Sequence, residues 1–572
     1  MTPTRTLTYV LTAVLVAVLL GTCLLRPTTR SLTTFYVSQL DGDDTRSCDA
    51  ARQAVSPRRA INRGLACLHA GDTLVVGPGT YDELLVGQSG DSASCLSGDA
   101  ATQPGCAPIP NGLDAAQKTT VRGAGVETVL SPVGRTLPGG GSAITLGDDV
   151  RFVHIEGFRV VKHAAAGSAG GIYAGNVQHV TITRNELDNG QVKGGLTSRF
   201  LTVTHNHIHH TGVDRCPTDE KPTPANCQHG MYICGTDHVI TDNYVHDTSY
   251  YGIQVSCEAG GIARIRLERN RIEQNVGVGL RCAGEDCFVA ANLLRGNGQG
   301  ITLSGSGVVA NNTLHGYFPQ GWGDPTGIWV TYKDGSGFQM INNILTDQKS
   351  AFLALGNADN APPDPAKVHH NLCEVGGNPG CTLLAQDDAI YTNAAAGDFT
   401  LKPDSPARGA GVPVPGLMGD VRGVAYPTPP DLGAASSGAA PAPPVDQEPP
   451  RVHLTTPTPE QVVFGASVGL DATASDNVAV VGVQFLLNGQ PYHPEQCCAP
   501  YRDTLDTTTL GNGPHTLGAV ARDAAGHQTT TQVQVRVDNP VPPTPPGGTV
   551  LACSGTLKGE ALAFTCTRPR GR

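Results

Sequence analysis

Charge is scarce in this chain: Asp, Glu, Lys and Arg make up 16% of its 572 residues, against about 25% in an average domain. Aromatic residues reach only 5%, with 2 Trp, and there are 4 Met. So few charges exclude an architecture of long solvated helices. Basic residues number 39 against 50 acidic ones, a net charge of −11, and no Lys/Arg cluster is interleaved with aromatics as a nucleic-acid groove requires. Nucleic acid is therefore excluded as a partner. After residue 25 there is no apolar run long enough to span a bilayer, so any membrane contact must come through the N-terminal segment alone.

That segment, Tyr9 to Leu25 (YVLTAVLVAVLLGTCLL), has a length between a signal-peptide core and a spanning helix. Residues 1–30 read as a signal peptide or a membrane anchor. Leu20-Gly21-Thr22-Cys23 has the outline of a lipoprotein cleavage box, although Thr22 fits it poorly. Each of these readings predicts a secreted or envelope-associated protein. With Cys23 set aside, 16 cysteines remain, several in close couples: Cys95/Cys106, Cys216/Cys227, Cys282/Cys287, Cys373/Cys381 and Cys553/Cys566. None of these couples has the C-x-x-C spacing of a structural zinc site. Local disulfides formed after export are the expectation, with the pairing of Cys497 and Cys498 left open.

What the chain has in abundance is glycine and proline, 71 and 42 residues. From Gly170 to Asp347 one phrase recurs, as in HGMYICGTDHVITDNYVHD, YGIQVSCEAGGIARIRLERNRIEQN and QGITLSGSGVVANNTLHG. Seven copies align on Gly171, Gly195, Gly230, Gly252, Gly279, Gly300 and Gly327, mostly 21 to 27 residues apart. Alternation with a period of two within each copy predicts short half-buried strands. Such strands are stable only when stacked rung on rung at about 4.8 Å. The stacking predicts an inward column of Ile172, Leu196, Met231, Ile253, Leu280, Ile301 and Ile328. The repeated Asn at 185, 206, 243, 270, 292, 312 and 343 is expected to occupy left-handed turns and to bond amide to amide along the stack.

These phrases resemble the right-handed parallel β-helix family known from pectate lyases. The resemblance covers residues 33–435. It includes an opening (FYVSQLDGDD, a helix around Arg58 to His69, AGDTLVVGPGTYDE) in which a helix caps the first rung, and a closing segment (GDFTLKPDSPARGAG, PDLGA). Residues 436–450 form a Pro-rich linker. Residues 451–538, with DNVAVVGVQFLLNGQ and NGPHTLGAVARDAAGH, resemble bacterial immunoglobulin-like modules and predict a seven-strand sandwich. Residues 539–549 are a second linker, and 550–572 a small tail closed by Cys553 and Cys566. The fold class is thus all-β: a parallel β-helix solenoid followed by an Ig-like β-sandwich.

Outward residues of successive rungs stack in columns, and two columns carry chemistry. The first follows the anchoring glycines: Tyr173, Thr197, Tyr232, Gln254, Arg281, Thr302 and Trp329, with His229 and Tyr251 just before two of the glycines. The second lies three residues after each Asn: Asp188, His209, His246, Glu273, Arg295 and His315. Beside it stand Glu186, His207, Tyr244 and Arg271, and on the other side His210 and Asp247. Both columns read either as a catalytic groove or as the plain ladder of polar side chains that solenoids expose.

The resemblance implies a polysaccharide or cell-surface glycan as partner. Elimination from a uronic-acid polymer needs a cation on the substrate carboxylate, a base for the adjacent carbon-bound proton and an acid for the leaving oxygen. Arg281 suits the first task, His246 or His229 the second, and Tyr232 or Tyr251 the third. His207, His209, Asp247, Tyr251, Gln254, Glu273 and Trp329 are candidate substrate-binding residues. Hydrolysis needs two carboxylates at a set separation, for which Asp247 and Glu273 are the candidates. His205, His207, His209, His229 and His246 could converge with Asp247 on a metal, but strand spacing gives no closed tetrahedral set, so no residue is assigned as a metal ligand. The resemblance allows calcium, yet no aspartate-rich loop for it can be read, and no cofactor is assigned. Only Gln228-His229-Gly230 echoes a polygalacturonase motif, and the DPHE-like signature of mannuronan epimerases is missing. The expectation is an exported β-helix protein that binds and cleaves an acidic polysaccharide, by elimination rather than hydrolysis. The alternative is a non-catalytic adhesion or glycan-binding scaffold.

Overall fold

The computed structural model describes residues 31–87, 106–133, 142–162, 170–212, 228–257, 260–319, 326–330, 337–348, 350–355, 366–374, 380–383, 389–438, 449–476, 480–496, 501–523, 526–540, 552–558 and 561–567. The N-terminal segment, Cys95, Cys216, Cys227, Cys497 and Cys498 lie outside them. The chain forms two compact units, Met1–Ala440 and Pro441–Arg572.

In the first unit, 30 strands among the described residues join one sheet through parallel pairings. Each middle rung has three strands. The first strands are Ile172–Ala174, Val192–Gly194, Met231–Ile233 and Ile253–Val255. The second strands are Thr181–Thr183, Thr202–Thr204 and Val239–Thr241. The third strands are Glu186–Asp188, His207–His209 and Tyr244–His246. Three residues are too few for a strand to persist alone, so the rungs are stable because they bury one another's apolar faces. Ile172, Val192, Met231, Ile253, Leu280, Ile301 and Ile328 are all fully buried in one core, each side chain contributing about 1.5–3 kcal/mol.

Val192 takes the place expected for Leu196, which is 57% exposed. Val192 pairs with Ile172 below and Met231 above. The Val192-Lys193-Gly194 alternation puts the apolar group inward and the charge outward, whereas Leu196 falls in the following turn. Lys193 therefore replaces Thr197 in the outward row. The anchoring glycines are needed for close approach: a Cβ on Gly252 would lie 2.6 Å from the Gly279 carbonyl oxygen and 2.8 Å from Ile272 Cγ2.

The Asn column is an amide ladder. Each Nδ2 donates to the Oδ1 of the next, from Asn185 through Asn206, Asn243, Asn270, Asn292, Asn312 and Asn343 to Asn371, at 2.9–3.1 Å. The left-handed residue is the one before each Asn, such as Arg184 (φ 52°), His205 (φ 56°) and Asp242 (φ 59°). That residue makes the turn, leaving the Asn amide free to run along the solenoid axis. Asn243 Oδ1 accepts from Asn206 N and Nδ2, and Asn243 Nδ2 donates to the Val203 and Thr241 carbonyls. Asn243→Ala orphans several buried groups at roughly 1–3 kcal/mol each. We expect it to lower the unfolding free energy of this unit by at least about 3 kcal/mol in urea titrations, whereas Thr204→Ala, on the partly exposed outer face, should cost less than about 1 kcal/mol.

The helix at the open end is short, Ile61–Leu65. Its first amides, Ile61 N and Asn62 N, donate to the Glu83 carboxylate at 2.8 Å each, which satisfies donors that the helix leaves unpaired. Ile61 and Leu65 pack into the core with Val37 and Leu74. At the other end, Tyr391–Asn393 and Asp398–Leu401 form a hairpin. Tyr391, Phe399, Leu401, Leu432 and Ala434 pack on Leu293, Ile344 and Leu372, so the closing segment runs back over late rungs.

In the second unit a three-stranded sheet (Arg451–Thr456, Val468–Ser475, Tyr501–Leu505) and a five-stranded one enclose a core around Phe485, Leu470 and Leu517. Val462–Val463, Gln490–Pro491 and Tyr501–Leu505 are strands beyond the five whose alternation was legible. Ala552–Lys558 pairs with Ala561–Thr567, placing the disulfide-bonded Cys553 opposite Cys566. Disulfides join Cys282 to Cys287 and Cys373 to Cys381 as their spacing suggested, and also Cys48 to Cys67 and Cys234 to Cys257. Among the described residues no helix is long and apolar enough to cross a membrane.

Candidate functional site

The outward row on the first strands is continuous in register: Tyr173, Lys193, Tyr232, Gln254, Arg281, Thr302 and Trp329 are successive neighbours. Its middle floors a cleft of about 630 Å³ lined by Gln191, Lys193, Gln228, His229, Tyr232, Tyr250, Tyr251, Gln254, Ser256, Cys257, Arg281, Ala283 and Ser304. Among the described residues the lining holds two cations and no carboxylate. Lys193 and Arg281 lie three rung steps apart, about 14 Å at ~4.8 Å per step. Among the described residues neither is paired with a carboxylate, so both charges are available to a ligand.

Between them sits an aromatic cluster. The His229 ring stacks on Tyr232 at 5.2 Å and meets Tyr250 and Tyr251 edge-on at 5.0 and 5.4 Å. Tyr250 and Tyr251 stack at 4.2 Å. His229 is 9% exposed, and among the described residues its buried Nδ1 has no hydrogen-bond partner. Burial, reinforced by the positive charges of Arg281 and Lys193, pulls its pKa down to about 4. The ring is therefore neutral near pH 7, with a nitrogen able to accept a proton. Burial and the adjoining Tyr251 hydroxyl push the Tyr250 hydroxyl above the ordinary tyrosine range, so it is a protonated donor. Gln254 is held by its Nε2 donating to Ser256 Oγ at 2.6 Å.

The second column stacks as expected but on the third strands. Asp188, His209, His246, Glu273, Arg295 and His315 are successive register partners. Its groups are already engaged by neighbouring groups outside the column. His246 Nδ1 bonds Asp247 Oδ2 at 2.6 Å and its Nε2 meets His207 Nε2 at 2.8 Å. Glu273 takes Arg271 Nε at 2.6 Å and lies 3.4 Å from the Tyr244 hydroxyl. His207 is pulled down to about 4 by burial and by the neighbouring His209 and His246.

The candidate residues thus separate. His229, Tyr232, Tyr251, Gln254 and Arg281 share the cleft. His207, His209, His246, Asp247 and Glu273 stand on the third-strand face and do not line it, because the turn from residue 247 to 252 separates the two strands. Trp329 continues the cleft's row two steps beyond Arg281, outside its lining. Lys193, Tyr250 and Gln191 line the cleft without having been singled out. Lys193 was hidden by the choice of Gly195 as anchor.

A family profile described as "Right handed beta helix region" matches residues 142–292 and 224–372. Residues 142–372 are a right-handed β-helix region. A second profile, "Bacterial Ig domain", matches residues 450–519. No curated protein sequence matches the chain. Among solved structures, pectate lyase Pel9A aligns at 13% identity over 71% of this chain and 97% of its own, with a TM-score of 0.43. The Azotobacter vinelandii mannuronan C-5 epimerase AlgE6 A-module aligns at 15% identity over 57% of this chain and 93% of its own, TM-score 0.33. The Clostridium thermocellum CbhA fibronectin(III)-like modules align at 28% identity over 16% of this chain, TM-score 0.15, and the chain spans 47% of their length.

Proposed function

We propose that the β-helix cleft binds an acidic polysaccharide and cleaves it by β-elimination, in a protein exported to an oxidising compartment. The observation that carries this reading is the cleft's composition: two free cations flanking a neutral imidazole and three tyrosines, with no carboxylate among the described residues of the lining. Two cations about 14 Å apart suit two carboxylates of one polymer better than a single small anion. Tyr232, the partly exposed one of the three, offers a flat apolar surface for a sugar ring.

The chemistry follows from the positions. Arg281 neutralises the carboxylate of the reacting uronate, which stabilises negative charge on the adjacent carbon. His229 removes the proton from that carbon. A double bond forms as the carbon–oxygen bond to the leaving sugar breaks, and the Tyr251 or Tyr232 hydroxyl donates a proton to that oxygen. Lys193 holds a neighbouring carboxylate and sets the register of the polymer. Hydrolysis is disfavoured at this cleft because no carboxylate pair is found among the described residues of the lining, while Asp247 and Glu273 stand on another face. The disulfides fit the proposed export, since such bonds persist outside the reducing cytosol.

The purified protein is expected to be retained by gels containing pectin, alginate or glycosaminoglycan and to pass freely through neutral glycans, with retention weakening as salt rises. Equal mobility in acidic and neutral gels would remove the reading. Retention without any product would leave the scaffold as the better account.

A further inference from the structure

The third-strand face carries a second set of groups that elimination in the cleft does not use. Asp188 Oδ1, His209 Nδ1 and His210 Nδ1 all lie within 4.8 Å of one another. The carboxylate oxygen is 3.8 Å from His209 Nδ1 and 3.9 Å from His210 Nδ1, and the two nitrogens are 2.7 Å apart. Donors 2.0–2.1 Å from one tetrahedral ion stand about 3.3 Å apart, a value these three separations bracket. We propose that Asp188, His209 and His210 form a binding site for a divalent transition metal of the zinc class, with a fourth position open to solvent.

Among the described residues the surroundings supply these three ligands. The strand end supplies Asp188 and, one rung on, His209. His210 follows in the left-handed conformation (φ 54°), which swings its ring back beside that of His209, edge to face at 4.8 Å. The other nitrogen of His209, Nε2, faces Glu186 Oε1 at 3.5 Å. That nitrogen makes no hydrogen bond among the described residues, so it is free to donate to Glu186 once Nδ1 is taken by a metal, the arrangement in which a carboxylate orients a ligating imidazole. Arg159 binds the opposite oxygen of Asp188, Oδ2, at 3.4 Å and also Glu186 at 3.0 Å, which turns Oδ1 toward the histidines. His246 stacks on His209 at 5.4 Å, but both its nitrogens are engaged, with Asp247 and His207, so it positions the ligand ring without joining the set. The 2.7 Å approach of two imidazole nitrogens needs a proton between them, and a metal ion would replace that proton. His209 is buried while His210 is 55% exposed. The site is therefore anchored on one side and accessible on the other, as an exchangeable or reactive metal requires. With imidazole and one carboxylate as donors, zinc, cobalt or nickel suits it better than calcium or magnesium.

The test uses the full-length, disulfide-intact, untagged chain after chelator treatment, titrated calorimetrically with Zn²⁺ alone and, separately, with Co²⁺ followed by visible absorption. One equivalent of Zn²⁺ and tetrahedral Co²⁺ bands are expected. Asp188→Asn and His210→Asn, the latter keeping a residue tolerant of the left-handed turn, should weaken binding by more than about 100-fold, and Glu186→Gln by about 10–100-fold. Arg281→Gln, in the separate cleft, should bind Zn²⁺ as the parent does. Failure to bind a stoichiometric ion, or unchanged affinity in both Asp188→Asn and His210→Asn with each variant melting cooperatively, would overturn the proposal.

Discussion

Arg281→Gln is expected to lower kcat on an acidic polysaccharide by about 10²–10³-fold, the loss typical of removing one preorganised group from developing negative charge. Among the described residues Arg281 is the only guanidinium in the cleft lining, and its register neighbours Gln254 and Thr302 carry no charge to replace it. Lys193→Gln should behave differently. Lys193 lies three rung steps away, so in the proposed complex it meets a neighbouring sugar and contributes to binding without meeting the reacting carbon. Its loss should raise KM several-fold and leave kcat within about threefold. Steady-state kinetics on both variants separates the roles, and equal effects on kcat would place the reacting residue elsewhere along the cleft.

The second large effect is expected at His229. His229→Gln removes the proposed base and should lower kcat by about 10²–10⁴-fold with little change in KM. The pH dependence follows from the same side chain. Because burial and the two cations hold its pKa at about 4, the free protein keeps a neutral base down to that pH, and the acid limb of kcat/KM should fall near 4 instead of near the ordinary histidine value of about 6.5. Stability carries the matching sign. Between about pH 6.5 and 4 the unfolded chain protonates this histidine and the folded one does not, so unfolding takes up a proton and stability falls as pH is lowered through that window. His229→Gln should therefore lose less stability than the parent between pH 7 and 4, measured by thermal unfolding across that range. An equally steep fall in both would show that other groups carry the dependence.

The repeats made the solenoid legible because each rung repeats the same physical solution: a buried aliphatic, a glycine where the next rung's carbonyl approaches, and an Asn amide along the axis. The third-strand row from Asp188 to His315 was also readable, since each member lies a constant three residues from its ladder Asn. The Gly-anchored row was readable except at one rung. Two adjacent glycines, Gly194 and Gly195, allowed an anchor slip of four residues, which preserves alternation and so leaves no trace in the hydrophobic pattern. Lys193, one of the two cleft cations, was lost to that slip. Which row faces which direction was not legible, because turn geometry between strands has no simple pattern in the residues. Thus His229 and His246 read as one site but stand on different faces. Cys48–Cys67 and Cys234–Cys257 escaped for a related reason: 19 and 23 residues separate the partners, which the fold brings together between neighbouring elements and not within a local loop.

The measurement that bears most directly on the cleft chemistry is the appearance of unsaturated uronate ends, followed by ultraviolet absorbance, when the protein is incubated with pectin, alginate or a glycosaminoglycan. The account predicts that absorbance rises with one of these polymers and that His229→Gln abolishes the rise while retaining the polymer in affinity gels. New reducing ends without unsaturation would contradict it, since they would mean hydrolysis, which needs a carboxylate pair that the described residues of this cleft do not supply.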